Sequence, residues 1–146
     1  DVSEVILWVL KQYPVVRDAL KTRIAALPDA AKYMAYHEPC TLQHGQKLKG
    51  SVSGLLTEIG VRLAPSINTH LCCGSAGTYS ITQPELSKQL LSNKINDLKM
   101  DNVAFVLSGN IGCISQIASA AHAPVLHWIE WLDAVWAGDE RVKPQL

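Results

Sequence analysis

The stretch Asn68-Thr-His-Leu-Cys-Cys-Gly-Ser-Ala-Gly-Thr-Tyr-Ser80 places two adjacent cysteines, Cys72 and Cys73, directly before a glycine-rich turn. Thiolate is the form of cysteine that binds metal, so two neighbouring thiols in one loop can both reach a single metal centre. Gly74 and Gly77 allow a tight turn and a close approach of the backbone to a bulky group. This stretch therefore predicts a site built from sulfur ligands.

Three cysteine loops share one arrangement, in which a strand comes before the loop and a helix after it. The predicted strands are residues 32–36, 61–64 and 103–107, and the loops behind them carry Cys40, the Cys72–Cys73 pair and Cys113. Strands alternating with helices predict a parallel sheet with right-handed crossovers. Ligands bind such a sheet outside the carboxyl ends of its strands. We therefore expect an α/β fold, a Rossmann-like parallel sheet of about four strands flanked by helices, with the cysteine loops at the carboxyl edge.

Hydrophobic periodicity predicts two helices before the first strand and one after it. The first helix runs from the start signal Asp1-Val-Ser-Glu4 to Pro14, and a second, short helix ends before Pro28. The apolar face predicted for the first helix consists of Val2, Val5, Ile6, Val9 and Leu10. Pro39 ends the first strand, and Gly60 ends the helix behind the first cysteine loop.

Three helices and two strands are predicted after the double-cysteine loop, and one of these strands is residues 103–107. Thr82-Gln-Pro-Glu85 has the pattern of a capping box with proline in the first turn, so a helix is expected behind it. The apolar face predicted for that helix consists of Leu86, Leu90, Leu91, Ile95 and Leu98. Another helix follows Cys113, a short strand covers residues 124–126, and a last helix runs from about His127 to Gly138.

Composition excludes several classes of function. The 146 residues are 48% apolar and 18% charged, which is typical of a globular domain with a sizeable core. Thirteen basic and thirteen acidic side chains cancel, so the basic footprint of a nucleic-acid binder is missing and no nucleic-acid partner is expected. No apolar run reaches the roughly 18 residues that would span a membrane, and no signal-peptide pattern is evident. No G-x-G-x-x-G motif is present, so we expect no nucleotide site.

Four cysteines allow a disulfide framework or a metal site. Disulfide frameworks are typical of small secreted chains with thin cores, which this chain does not resemble, so reduced thiols or metal thiolates are favoured. Structural zinc usually takes closely spaced pairs such as C-x2–4-C, whereas an iron–sulfur cluster can accept thiolates from separated loops. The spacing favours an iron–sulfur cluster and leaves zinc open.

The cysteine segments resemble a known family, the cysteine-rich CCG domain. The matching segments are His37-Glu-Pro-Cys40, Cys72-Cys-Gly74 with Ser75-Ala-Gly-Thr-Tyr79, and Gly109-Asn-Ile-Gly-Cys113. This domain occurs in heterodisulfide reductase and in iron–sulfur subunits of glycolate oxidase, lactate-utilisation and anaerobic glycerol-3-phosphate dehydrogenase complexes. The closing stretch His127-Trp-Ile-Glu-Trp-Leu-Asp133 most resembles the glycolate oxidase iron–sulfur subunit, of which this chain would be the C-terminal part.

The resemblance implies a domain organisation and a ligand set. It covers about residues 32–136 and divides the chain into an N-terminal helical segment (1–31), the cysteine-rich CCG domain (32–138) and a frayed tail (139–146). Its implied cluster and metal ligands are the thiolates of Cys40, Cys72, Cys73 and Cys113, with His37, Gly74 and Gln116 around them. Gln116 stands where the family has a fifth cysteine, which implies an ordinary [4Fe–4S] cluster or a lower-affinity site rather than the cluster of heterodisulfide reductase.

The function implied by the resemblance is electron transfer within a flavin-dependent glycolate oxidase or dehydrogenase complex, without catalytic residues in this chain. FAD would lie on a partner, a flavin-containing subunit, and the rest of the iron–sulfur subunit would be a second partner. The expected location is cytoplasmic or at the inner face of the cell membrane, with peripheral membrane association through the complex.

Two other hypotheses stay open on the sequence. In the first, the chain is a structural or assembly module that binds zinc or no metal and docks the flavin subunit. In the second, Cys72 and Cys73 form a thiol-based reductase. A purely structural role also stays open for single residues: His37 as an ordinary strand-end histidine, and Cys40 and Cys113 as buried thiols.

Overall fold

A computed structural model describes residues 2–142, which form seven α-helices and a four-stranded sheet. The helices are α1 (Val2–Gln12), α2 (Pro14–Ala25), α3 (Ser51–Glu58), α4 (Tyr79–Thr82), α5 (Pro84–Asp97), α6 (Ile111–Ala118) and α7 (Trp128–Ala137). The strands are β1 (Tyr33–His37), β2 (Arg62–Leu63), β3 (Phe105–Ser108) and β4 (Val125–His127). Short 3-10 helices at Asp29–Lys32 and Glu140–Val142 and one π-helical turn at Thr41–Gly45 complete the described chain.

The sheet confirms the predicted α/β fold. Its strand order is β2-β1-β3-β4 and every pairing is parallel. The chain moves from β1 to one side to form β2 and then crosses to the other side of β1 to form β3. The order of the strands therefore reverses between β1 and β3, and the crevice at their carboxyl ends is where ligands bind in folds of this kind. The last paired residues at this point are His37 and Ser108.

Helices cover both faces of the sheet. On one face, α1, α2, α3 and α7 pack over the main core, where Trp128 and Trp131 are fully buried. On the other face, α5 and α6 pack over a smaller core that includes Cys73 and Cys113. Each large apolar side chain buried in these cores stabilises the fold by about 1.5–3 kcal/mol relative to exposure. The two cysteines are therefore part of a packed interior, on the face opposite the N-terminal helices.

The apolar face predicted for α1 is partly wrong. Val2 and Val5 are more than half exposed, whereas Ser3 and Leu10 are buried. The indole N–H of Trp128 donates a hydrogen bond to Ser3 Oγ at 3.0 Å, and a buried N–H needs such an acceptor. This bond turns the Ser3 side of α1 inward and leaves the two valines facing solvent.

The capping box predicted before α5 is also wrong. Thr82 ends α4, where its hydroxyl donates to the carbonyl of Thr78 at 3.2 Å, and Gln83 precedes α5 without a side-chain capping bond. Pro84 does occupy the first turn of α5, as predicted. Leu86, expected on the buried face, is 45% exposed, because the inward face of α5 carries polar residues that bind the double-cysteine loop.

The end of the described chain is more ordered than the predicted frayed tail. Glu140–Val142 forms a 3-10 turn, and Val142 packs into the main core with 3% of its surface exposed. The rest of that predicted tail, residues 143–146, lies outside the described residues. Among the helices of the described chain, none has the length and hydrophobicity that crossing a membrane requires.

Candidate metal centre

The structure brings the three cysteine loops together at the carboxyl edge of the sheet. The Sγ atoms of Cys73 and Cys113 lie 3.1 Å apart in the buried part of the site. Burial and then the neighbouring Cys72 thiol raise the pKa of Cys40, and both of these cysteines are more exposed than Cys73 and Cys113. All four cysteines are free thiols. The site thus has a buried pair, Cys73 with Cys113, and a rim pair, Cys40 with Cys72.

The start of α6 positions Cys113. Asn110 caps the helix, and its side-chain Oδ1 accepts a hydrogen bond from the backbone N–H of Cys113 at 3.2 Å. Cys113 therefore lies in the first turn, where the helix dipole and the free N–H groups favour a negative charge. This is the location that the strand, loop and helix pattern predicted.

The first two cysteine loops are joined through Gln43. Its side-chain amide donates to the carbonyl of Glu38 at 2.8 Å and to the carbonyl of Thr69 at 2.9 Å. Glu38 directly precedes the Cys40 turn, and Thr69 lies in the loop that leads to Cys72. One amide group therefore fixes the distance between the two loops that carry the rim thiols.

Gly74 and Gln116 shape the double-cysteine loop from the α5 side. Gly74 has a φ of +86°, and a Cβ placed there would lie 2.5 Å from the carbonyl oxygen of Ser87. The Ser87 hydroxyl donates to the carbonyl of Gly74 at 2.8 Å and accepts from Gln116 Nε2 at 3.0 Å. The N–H of Gly74 donates to Cys72 Sγ at 3.3 Å. Gln116 thus supports the loop through Ser87.

A buried ion pair on α5 holds the beginning of the same loop. Lys94 Nζ lies 3.4 Å from Asp97 Oδ2 and donates to the carbonyl of Asn68 at 3.1 Å. Asp97 accepts from the Ser66 hydroxyl at 2.6 Å and from the Asn68 N–H at 2.9 Å. The sequence pattern did not single out either charged residue. The sequence did contain one indication of this pair: Lys94 follows Leu91 at helical spacing, so it lies on the same inward face of α5.

Within the buried sulfur pair, the pKa of Cys73 is lowered and that of Cys113 is raised. The hydrogen bond between the two sulfurs lowers the pKa of Cys73 although burial opposes the charge, and the nearby His37 imidazole and the Ser75 backbone add to the lowering. The same interaction raises the pKa of Cys113, which keeps its proton. Because thiolate is the metal-binding form of cysteine, the lowered pKa of Cys73 favours ligation through that sulfur.

The donor set fits a thiolate-bound metal centre. Ligand atoms of His37, Cys73 and Cys113 all lie within 4.8 Å of one another, and all three residues are buried. Soft thiolate donors select zinc or iron–sulfur clusters over magnesium and calcium. Two thiolates on one zinc would lie about 3.8 Å apart, given Zn–S bonds of about 2.3 Å. The observed 3.1 Å is shorter, so binding one zinc ion through both sulfurs would move this pair apart.

Fold and site together define an α/β domain with a cluster of cysteine thiols at the point where the strand order reverses. Its sequence matches the family described as the cysteine-rich domain, CCG, over residues 34–118. The chain therefore belongs to the CCG cysteine-rich domain family, which confirms the resemblance seen in the sequence.

Similar proteins are iron–sulfur and lactate-utilisation proteins by name. The chain is 48% identical over 99 residues to the glycolate oxidase iron-sulfur subunit of Escherichia coli (strain K12), covering 68% of this chain and 24% of that protein. It is 30% identical over 94 residues to lactate utilization protein A of Geobacillus thermodenitrificans (strain NG80-2), covering 64% and 38% respectively. For lactate utilization protein A of Shouchella clausii (strain KSM-K16) the identity is 28% over 87 residues, covering 59% and 36%. The matched part of this chain thus spans between a quarter and two fifths of the length of these relatives.

Proposed function

We propose that this chain is an iron–sulfur electron-transfer domain of a flavin-dependent 2-hydroxy-acid oxidase or dehydrogenase complex that acts on glycolate. The observation that supports the proposal is the contact of Cys73 and Cys113, 3.1 Å apart, with Cys40 and Cys72 near enough to raise the pKa of Cys113. A [4Fe–4S] cluster bound there would supply one-electron transfer. The similarity to the glycolate oxidase iron-sulfur subunit supports the choice of glycolate over lactate.

The protein's own contribution is to hold and shield the site. Cys73 and Cys113 bind from the buried side, and the packing around them keeps water away. Cys40 is exposed, so the rim pair forms the side through which electrons enter or leave. Ser87, Gln43 and the ion pair on α5 fix the loops and limit rearrangement on loading. Rigid loops of this kind favour electron transfer because little reorganisation accompanies it.

The proposed partners follow from this role. A flavin-containing subunit, with FAD bound, oxidises the hydroxy acid, and the rest of the iron–sulfur subunit continues the electron path. We place the complex in the cytoplasm at the inner face of the cell membrane, with association through the complex rather than through this chain.

A second candidate function is a structural module that binds one zinc ion and docks the flavin subunit. The observation in its favour is the compactness of the buried donors, since His37, Cys73 and Cys113 fit around a single ion. Zinc has no redox chemistry, so the module would position its partner without carrying electrons.

Glycolate-driven reduction tests the proposed function. The chain, within the full iron–sulfur subunit, is assembled anaerobically with the flavin subunit, mixed with glycolate and frozen for electron paramagnetic resonance. We expect a reduced-cluster signal that Cys113→Ser removes without preventing subunit assembly, and a weaker response to lactate. A zinc content of one ion per chain, together with an electron paramagnetic resonance signal that is the same in Cys113→Ser and the wild type, would instead support the structural module as the function of this chain.

A further inference from the structure

His37 ends the central strand β1 at the carboxyl edge of the sheet, and only 1% of its surface is exposed. Side chains alternate along a strand, so His37 projects to the same face as Ala35, which belongs to the core containing Cys73 and Cys113. Its imidazole is therefore directed into the buried half of the site rather than toward solvent.

Neither ring nitrogen of His37 has a partner with hydrogen-bond geometry within the described chain, although the imidazole lies close enough to Cys73 to lower the pKa of that thiol. The hydroxyl of Ser108, the residue paired with it on β3, is likewise buried without one among residues 2–142. Leaving a buried polar group unsatisfied costs about 1–3 kcal/mol. The buried polar groups of α5 near the site, on Ser87, Lys94 and Asp97, are paired, whereas Tyr36 Oη and Gln43 Oε1 are buried without a partner among the described residues, as His37 is. The imidazole is therefore available to a partner outside the polypeptide, and its position beside the buried sulfurs decides what that partner is.

The position of the imidazole identifies that partner. One of its nitrogens lies within 4.8 Å of the sulfurs of both Cys73 and Cys113, so a metal atom between them would be within reach of all three donors. Imidazole is a common ligand of both iron and zinc. Gln116 is held by Ser87 and offers no such donor.

We propose that His37 is a direct ligand of the metal centre, supplying one ring nitrogen beside the thiolates of Cys73 and Cys113. This inference rests on the proposed function, since it concerns the cluster that the site would hold. A neutral imidazole beside the four thiolates leaves the centre less negative than a fifth thiolate would. Histidine ligation is known to raise the reduction potential of an iron–sulfur centre, so His37 sets the potential as well as completing the buried side.

Nitrogen couplings of the reduced centre test the inference. The whole chain is reconstituted anaerobically with iron and sulfide, with either natural histidine or 15N-histidine, and is examined by pulsed electron paramagnetic resonance. We expect a strong nitrogen coupling that changes with the label, disappears in His37→Gln and persists in His44→Gln. His44 is an exposed histidine of the first cysteine loop and serves as the matched control.

A second variant separates ligation from folding. His37→Cys replaces imidazole by thiolate, so we expect it to retain the centre, lose the nitrogen coupling and show a lower midpoint potential. A loaded wild-type chain without strong nitrogen coupling, or with coupling that survives in His37→Gln, would overturn the inference and leave the proposed function standing. A wild-type chain that takes up no iron and sulfide would overturn both.

Discussion

Cys73 and Cys113 lie 40 residues apart in the sequence, yet their sulfur atoms are 3.1 Å apart. Cys73 follows β2 at one side of the sheet, and Cys113 follows β3, across β1 from it. Parallel pairing aligns the carboxyl ends of these strands, and the loops behind them need to reach only over the end of β1. The buried sulfur pair is thus made by tertiary structure and not by the adjacency of Cys72 and Cys73 in the sequence.

The turn at Gly74 is expected to tolerate no side chain. Gly74→Ala would place a Cβ against the Ser87 carbonyl in a left-handed conformation, so we expect a loss of about 2–4 kcal/mol in the free energy of unfolding. Gly77→Ala is the matched control, because its φ is also positive but nothing lies within 4 Å of its Cβ; we expect a loss of about 1 kcal/mol. Urea titration of the two metal-free variants measures the difference. Equal losses would show that the contact with Ser87 is not tight.

The buried ion pair on α5 should be costly to break. Asp97→Asn leaves the Lys94 charge buried without its partner, so we expect a loss of about 3–5 kcal/mol in the free energy of unfolding. Glu85→Gln breaks an exposed pair with Lys88 at the same spacing on the same helix and should cost no more than about 0.5 kcal/mol. Chemical denaturation checks both values, and similar losses in the two variants would contradict the role assigned to Asp97.

Low pH should weaken the contribution of Asp97 to the free energy of unfolding. Burial would raise its pKa, but hydrogen bonds from Ser66 and Asn68, together with Lys94, hold the pKa below the ordinary 3.8. A carboxyl whose pKa is lower in the folded than in the unfolded state contributes fully to the free energy of unfolding when the pH is above the unfolded-state pKa. This contribution is lost as the pH falls through the folded-state pKa. The stability difference between wild type and Asp97→Asn should therefore stay constant above about pH 5 and shrink below about pH 4. A constant difference down to about pH 2 would disagree with this account.

The N-terminal helices are expected to stabilise the whole domain. Ile24 of α2 is fully buried in the main core beside residues of α7, so Ile24→Ala should lower the free energy of unfolding by about 2–5 kcal/mol. Val15 of the same helix is 74% exposed, and Val15→Ala should change the free energy of unfolding by less than about 0.5 kcal/mol. Thermal unfolding monitored by circular dichroism should show one transition for each variant. Separate transitions for helices and sheet would contradict a shared core.

Much of the fold could be predicted because local signals and tertiary structure agree. Pro39 ends β1 two residues after its last paired position, and Gly60, with a φ of +106°, ends the third helix as expected. The alternation of strands and helices was enough to place three loops at one edge. Convergence of the cysteines followed from topology and needed no knowledge of side-chain packing.

The features that the sequence did not reveal depend on contacts between distant segments. The inward side of α1 is set by an acceptor for the Trp128 indole, and no periodicity in α1 reveals that Ser3 supplies it. The buried charges on α5 are tolerated because Ser66 and Asn68 lie opposite them, which overrides the preference for apolar residues. His37 could be noted beside Cys40 in the sequence, but its missing hydrogen-bond partners became visible only once its surroundings were known.

The central claim is that the four thiols form one iron–sulfur site, and the iron and acid-labile sulfide content of anaerobically reconstituted protein tests it most directly. We expect about four iron and four sulfide per chain for a [4Fe–4S] cluster in the wild type, and a content at least about tenfold lower in Cys113→Ser. The His44→Gln control should match the wild type. A colourless wild-type protein without sulfide, or equal iron and sulfide in Cys113→Ser and wild type, would contradict the claim.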